Sequence, residues 1–200
     1  MTRGSAVSIA AVLAQIGRAC PGLALLLAAG LSGLVLMSTA VPAQAATKSV
    51  DCADLAISFD GKTGYDLSCE TDSTLLADMD GSLQMQHLEA TAGDSSNFVD
   101  AHYYDLLGRV IYTATDLRSN FQTLYGHLTL SDWQSGRAVS NLATAEFKAE
   151  LRGLPSRCVA FQRLGHRDWG GYKKIMIGIA CSQTDIDQAY DALKHLYLPN

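Results

Sequence analysis

The chain has 200 residues, of which 48% are hydrophobic and 18% charged, with a formal net charge of −5. An acidic balance of this kind excludes a polybasic nucleic-acid binder, because affinity for nucleic acid rests on phosphate neutralisation. The apolar content is too high for a disordered chain and suits a core-forming domain.

The first 45 residues carry Arg3 and Arg18 as their only charges. Leu23–Met37 is an apolar run of 15 residues, short of the roughly 20 that a helix needs to span a bilayer. Ala43-Gln44-Ala45 follows with the small-x-small pattern of a signal-peptidase site. We read residues 1–45 as a cleaved signal peptide and residues 46–200 as a single domain; an uncleaved anchor is the alternative. No apolar stretch after residue 46 is long enough to cross a membrane. Residues 46–200 carry 13 Lys and Arg against 20 Asp and Glu, unevenly spread. Residues 51–132 hold 14 acids and three bases, and residues 137–174 hold eight bases and three acids. One half neutralising the other in the folded domain accounts for this as well as an acidic partner does.

Without Cys20, which lies in the leader, four cysteines remain: Cys52, Cys69, Cys158 and Cys181. An even count in an exported chain reads as disulfides. The midpoint of Cys52 and Cys69 falls on Asp60-Gly61, a preferred dipeptide for a two-residue hairpin turn. The midpoint of Cys158 and Cys181 falls on Trp169-Gly170, between strand-like CVAF and IMIGIAC. A four-residue loop, Asp168–Gly171, would place these two cysteines at a non-hydrogen-bonded pair, whose Cα spacing of about 4.5 Å suits a bridge. That register puts Ala160, Leu164, Ile175, Ile177 and Ile179 on the face of the disulfide and Phe161 opposite Gly178. We therefore expect Cys52–Cys69 and Cys158–Cys181, each tying a β-hairpin and each worth roughly 3 kcal/mol in the chain-entropy account. Against the first hairpin, Leu55, Ile57 and Phe59 share one face while Tyr65 and Leu67 fall on the other, so a bulge near Thr63-Gly64 would be required. A four-cysteine zinc site is disfavoured, because no close C-x₂₋₄-C pair exists.

Further along, Ser82–Gln86 follows an Asp80-Gly81 turn and partly alternates. Asn97–Tyr104 and Arg109–Thr115 are rich in β-branched and aromatic residues and are expected to pair around Leu107-Gly108. Leu117, Phe121, Leu124, Tyr125 and Leu128 recur at helical spacing behind Asp116 or Ser119 as caps. Arg137–Arg152 alternates strictly at its end, but its Ala, Glu, Lys and Leu content and the Gly153-Leu154-Pro155 stop predict a helix. A last helix is expected behind Thr184, with Ile186, Tyr190, Leu193 and Tyr197 as its apolar stripe and Lys194 and His195 near its negative end. The expected fold is one α+β domain, an antiparallel sheet with two disulfide-tied hairpins and two to three helices.

No catalytic motif is specific. His166-Arg167-Asp168 spells a kinase triplet without the rest of that loop or a glycine-rich phosphate loop. Aligning Asp78-Met79-Asp80-Gly81 with a calcium loop puts Leu76 and His87 where acids are required. G-x-S-x-G, H-E-x-x-H and C-x-x-C do not occur. His87, His102, His127, His166 and His195 are scattered along the chain, without ligand spacing. No catalytic residue, metal ligand or cofactor is assigned.

The residues that point most clearly to recognition are Arg163, His166, Arg167, Trp169, Tyr172, Lys173 and Lys174, crowded into 12 positions at the tip of the second hairpin. Arginine and lysine supply charge there, while Trp and Tyr supply flat amphipathic surface. The expected function is a periplasmic or secreted non-enzymatic binding protein. It would use that tip on an acidic glycan, a lipid headgroup or an envelope protein. The alternative is a small secreted hydrolase with an active site assembled in space.

Overall fold

The computed structural model describes residues 7–8, 48–60, 64–75, 82–106, 111–112, 116–151, 153–168 and 171–197. Within the expected leader this covers Val7–Ser8 (β1) alone; the cleavage region and the apolar run lie outside the described residues.

In chain order, Lys48–Ser49 (β2) leads into a short 3₁₀ turn, Cys52–Asp54, whose start Asp51 caps by accepting from Ala53 N–H. Ser58–Phe59 (β3), Tyr65–Leu75 (β4), Ser82–Ala92 (β5) and Asn97–Leu106 (β6) follow. Then come Ile111–Tyr112 (β7), helix Leu117–Tyr125 (α1), Ser131–Ser135 (β8), Ala143–Leu151 (β9) and Leu154–Leu164 (β10). The chain ends in Arg167–Asp168 (β11), Gly171–Tyr172 (β12), Lys174–Ser182 (β13), helix Ile186–Leu193 (α2) and Leu196–Tyr197 (β14).

Eight strands form one antiparallel sheet in the order β2-β4-β5-β6-β13-β10-β9-β8. A four-stranded sheet, β1-β7-β12-β11, and a two-stranded one, β14-β3, flank it. Among the described residues the protein is thus mostly antiparallel sheet with two α-helices and two disulfides. Helix α1 lies across β9, β10 and β13, and α2 lies across β6, β10 and β13 on the opposite face, beside the segment that holds Leu55, Ile57 and Phe59. β10 and β13 are therefore buried on both faces. That is why CVAF and IMIGIAC read as continuous apolar runs while the outer strands alternate.

Both disulfides are present. Cys158 faces Cys181 across β10 and β13 with Cα atoms 4.1 Å apart, the close spacing of a non-hydrogen-bonded pair. Phe161 lies opposite Gly178, as the cysteine register requires. A Cβ on Gly178 would stand 2.1 Å from Asp100 O and 2.5 Å from Phe161 Cζ, so only glycine fits. The expected four-residue loop is shorter in the structure. Pairing resumes at Arg167↔Tyr172 and Asp168↔Gly171, in the small sheet rather than the large one. Trp169 and Gly170 lie outside the described residues.

Three expectations are corrected. Cys52–Cys69 does not tie a hairpin: β3 pairs with β14, and β4 pairs with β5 and β2. The bridge instead clamps the 3₁₀ turn to the sheet, next to Val50 N–H, which donates to Cys69 O at 3.0 Å. The mismatch of faces between Leu55, Ile57, Phe59 and Tyr65, Leu67 had this cause, because the first three cover the α2 face as a separate layer. The Asp60-Gly61 turn and the Asp80-Gly81 turn fall on positions that include residues outside the described set, as does Leu107-Gly108. β6 pairs with β5 and β13, while Ile111 faces Tyr172 in the small sheet, so Asn97–Tyr104 and Arg109–Thr115 are not partners. The segment expected as a third helix is β9. Ala145, Phe147 and Ala149 are buried on one face, while Lys148 and Glu150 are exposed and Glu146 accepts from the Tyr190 hydroxyl on the other, so period-2 burial overrides helix propensity. The glycine stop is a hairpin turn: Leu151 faces Leu154, with Gly153 at φ 77°.

The two remaining helices match their periodicity. Asp116 caps α1 by accepting from Arg118 and Ser119 N–H at 3.0 and 3.1 Å. Asp185, one residue beyond the expected Thr184, caps α2 by accepting from Asp187 N–H at 3.2 Å. Thr184 instead donates its hydroxyl to Gln188 Oε1 at 2.7 Å. Tyr197 leaves the helical stripe and is 56% exposed in β14.

Gly178→Ala should cost about 3 kcal/mol in a denaturant unfolding curve, because the added methyl meets backbone and a packed ring rather than a flexible side-chain end. Unchanged stability would contradict this packing.

Candidate functional site

On the face that carries α1, side chains line up in cross-strand rows. One row is Glu70 on β4, His87 on β5, His102 on β6 and Ile177 on β13. The next row places Glu89 beside Asp100 and Asp100 beside Ile179. α1 covers the β13-β10-β9 half of this face. The β4-β5-β6 half therefore keeps polar side chains that a covering layer would have excluded.

His87 and His102 face each other directly, and their rings stack at a centroid distance of 4.5 Å and an interplanar angle of 9°. Both reach toward one oxygen. His102 Nε2 lies 3.0 Å from Asp100 Oδ1 and His87 Nε2 lies 3.5 Å from it. Tyr125, near the end of α1, donates its hydroxyl to the same Oδ1 at 2.8 Å. His87 Nδ1 stands 3.7 Å from Glu70 Oε2. The side chains of His87, Asp100 and His102 are 23%, 20% and 18% exposed, which leaves them reachable but largely out of water.

The electrostatics follow from this convergence. Burial alone would raise the Asp100 carboxyl, yet the close contact of His102 and the two neighbouring imidazoles, His102 and His87, hold it far below the usual carboxylate range. Burial alone would lower His87, yet Asp100, Glu70 and Glu89 raise it above its ordinary value. Tyr125 is pushed well up by burial first and then by Asp100. Three polar atoms around this centre are buried with no hydrogen-bond partner among the described residues: His87 Nε2, His102 Nδ1 and the Tyr104 hydroxyl. No ring nitrogen of either histidine is bonded to a hydroxyl or thiol among the described residues.

The hairpin tip is more dispersed than its sequence crowding suggests. Arg163 lies on the opposite face, against Asn141; with the Asn141 amide turned so that its oxygen faces the guanidinium, that oxygen accepts from Nε and Nη2 at 3.0 and 3.1 Å. Lys174 Nζ stands 3.9 Å from Asp105 Oδ2. Tyr172 is half-buried and packs against the core on the α1 face. His166, Arg167 and Lys173 are exposed. Trp169, the aromatic centre of the expected site, lies outside the described residues. A separate groove of about 840 Å³, lined by His127, Lys148, Glu150, Arg157 and Thr184 among others, opens at the other end of β10 and β13.

The histidine centre was missed in the sequence because His87 and His102 are far apart along the chain. The signal lay in Gly93-Asp94-Ser95-Ser96. Asp94 Oδ1 accepts from the Ser96 amide and hydroxyl at 2.9 and 2.6 Å, and Ser95 sits at φ 59°. A midpoint within that turn sets residue 87 opposite residue 102, by the same reasoning that pairs the cysteines.

No known protein family, no curated protein and no solved structure matches this chain.

Tyr125→Phe should cost roughly 2 kcal/mol near neutral pH, the worth of a hydrogen bond to a charged, half-buried acceptor. Thermal and denaturant unfolding measure it, and a change below 0.5 kcal/mol, on the order of a surface substitution, would contradict the shared-oxygen geometry.

Proposed function

We propose that the chain is an exported, non-enzymatic binding protein that presents the basic end of the β10–β13 hairpin to an anionic partner. Two disulfides fit an oxidising compartment, and no helix among the described residues is long and apolar enough to cross a membrane. The leader read in residues 1–45 belongs to the same proposal, as does the single domain of residues 46–200.

The observation that carries the reading is the placement of His166 and Arg167. Both are exposed where the hairpin passes from the large sheet to the small one. Tyr172, opposite Arg167, anchors that end to the core. A cationic group held out from a fixed base loses little conformational freedom on binding. Lys173 beside it and Trp169 in the connection add charge and flat surface. Aromatic faces next to cations suit sugar rings that carry carboxylate or sulfate. Among an acidic glycan, a lipid headgroup and an envelope protein, the acidic glycan is the partner this chemistry fits best.

The hydrolase reading keeps one specific support: the His102–Asp100 contact at 3.0 Å resembles a base held by its orienting carboxylate. Neither histidine reaches a nucleophile among the described residues, so binding is preferred.

Immobilised uronate and sulfated oligosaccharides should retain the wild-type protein in a salt-sensitive manner, with Arg167→Ala/Trp169→Ala at least about tenfold weaker. Equal retention of wild type and variant, or retention by neutral sugars alone, would sink the proposal. Turnover of a generic ester or glycoside that disappears in His102→Gln would establish the hydrolase in its place.

A further inference from the structure

The geometry points to His87, Asp100 and His102 as a binding site for a late first-row divalent transition-metal ion, of the Zn²⁺ or Cu²⁺ class. Each residue offers one ligand atom, and the three atoms lie within 4.8 Å of one another. A bound ion with ligands at about 2.0–2.2 Å would bring such atoms to roughly 3.4 Å apart, a shift within side-chain rotation. Two imidazole nitrogens and one carboxylate oxygen are a borderline donor set, which selects Zn²⁺ and Cu²⁺ over Ca²⁺ and Mg²⁺.

Four further observations support the site. The first is that His87 Nε2 is buried and lacks a partner while aimed at the Asp100 carboxylate, 3.5 Å away. A buried imidazole nitrogen without a partner is costly, and a cation between it and the carboxylate would satisfy both. The second is an outer layer of supporting groups. Glu70 stands 3.7 Å from His87 Nδ1, which leaves Nε2 as the ligating atom. Tyr125 donates to Asp100 Oδ1 and fixes the carboxylate. Such carboxylate–histidine and hydroxyl–carboxylate contacts orient ligands in metal sites. The third is charge: Glu70, Glu89 and Asp100 all act on the His87 imidazole, Asp100 also contacts His102, and Lys and Arg are absent from these cross-strand rows. The fourth is rigidity. The ligands project from adjacent, fully paired strands, so their spacing is set by the sheet and not by a loop.

Three protein ligands leave at least one coordination position open toward the half of the sheet face that no helix among the described residues covers. That position belongs to water or to a donor from another molecule. Binding at His102 Nε2, which lies 3.0 Å from Asp100 Oδ1, requires the imidazole tautomer that carries its proton on Nδ1. The site is independent of the hairpin end, which lies on other strands, and stands or falls separately from the glycan reading.

The test uses the disulfide-bonded full chain, stripped with a chelator and titrated with Zn²⁺ and, separately, Cu²⁺ by calorimetry. One equivalent of ion should bind, and ¹⁵N spectra of the histidine rings should shift at His87 and His102 but not at His127 or His166. His102→Ala and the gentler His102→Gln should each weaken binding at least about 100-fold, and Tyr125→Phe about tenfold. His127→Ala and His166→Ala should bind as wild type does. Circular dichroism and disulfide mapping identify variants that remain folded. Absence of saturable binding to the wild type, wild-type affinity in both folded His102 variants, or equal loss in His127→Ala would overturn the assignment.

Discussion

The pairing of β10 with β13 governs the rest of the molecule. These strands lie inside the eight-stranded sheet, between β6 and β9, and are buried on both faces along most of their length, so neither can slide without exposing apolar surface. Cys158–Cys181 makes the register covalent, and Phe161 over Gly178 leaves no space for an alternative. β6 pairs with β13 in turn, so Ile177 faces His102, and β5 pairs with β6, so His102 faces His87. A slip of one residue anywhere in this series would carry His102 to the α2 face, among Tyr103, Ala189 and Leu193. The polar centre is therefore a consequence of core register.

That centre exists because α1 is short. Its nine residues span the β9-β10-β13 half of the face and end at Tyr125, whose hydroxyl reaches the edge of the polar half. Asp100 is the meeting point of helix and sheet. Its Oδ1 serves Tyr125 and His102 together, which explains why a carboxylate tolerates a half-buried position next to Ile179. On the other face, α2 and the segment from Leu55 to Phe59 complete the core, and Cys52–Cys69 keeps that segment against the sheet. The two disulfides thus have different tasks: one sets register at the centre and the other holds a covering layer at the edge.

Much of this was legible in the sequence where a constraint was local or symmetric. The second disulfide, its face partners and the Phe161–Gly178 pair follow from a midpoint and a period of two. The helices at Leu117 and Ile186 follow from caps and apolar spacing. The failures share a physical cause, which is competition between local preference and tertiary burial. Residues 143–151 have helix-forming composition, yet the alternation of Ala145, Phe147 and Ala149 decided, because the sheet offered them a core to enter. Asp60-Gly61 looked like a hairpin turn, yet β3 pairs instead with β14, from the far end of the chain, a pairing no local signal announces. The histidine pair required the Gly93–Ser96 turn to be read first, and its residues are ordinary surface types. The hairpin tip was legible as composition but not as geometry. Among the described residues, Arg163 turns to Asn141 and Lys174 toward Asp105, away from the exposed His166 and Arg167.

Interproton contacts in solution probe the shared register most directly. A nuclear Overhauser spectrum of the oxidised protein should connect the ring protons of His87 with those of His102, and the Phe161 ring with the α-protons of Gly178. Contacts from the His102 ring to Ala189 or Leu193 instead would place it on the opposite face and contradict the account from the central strands outward.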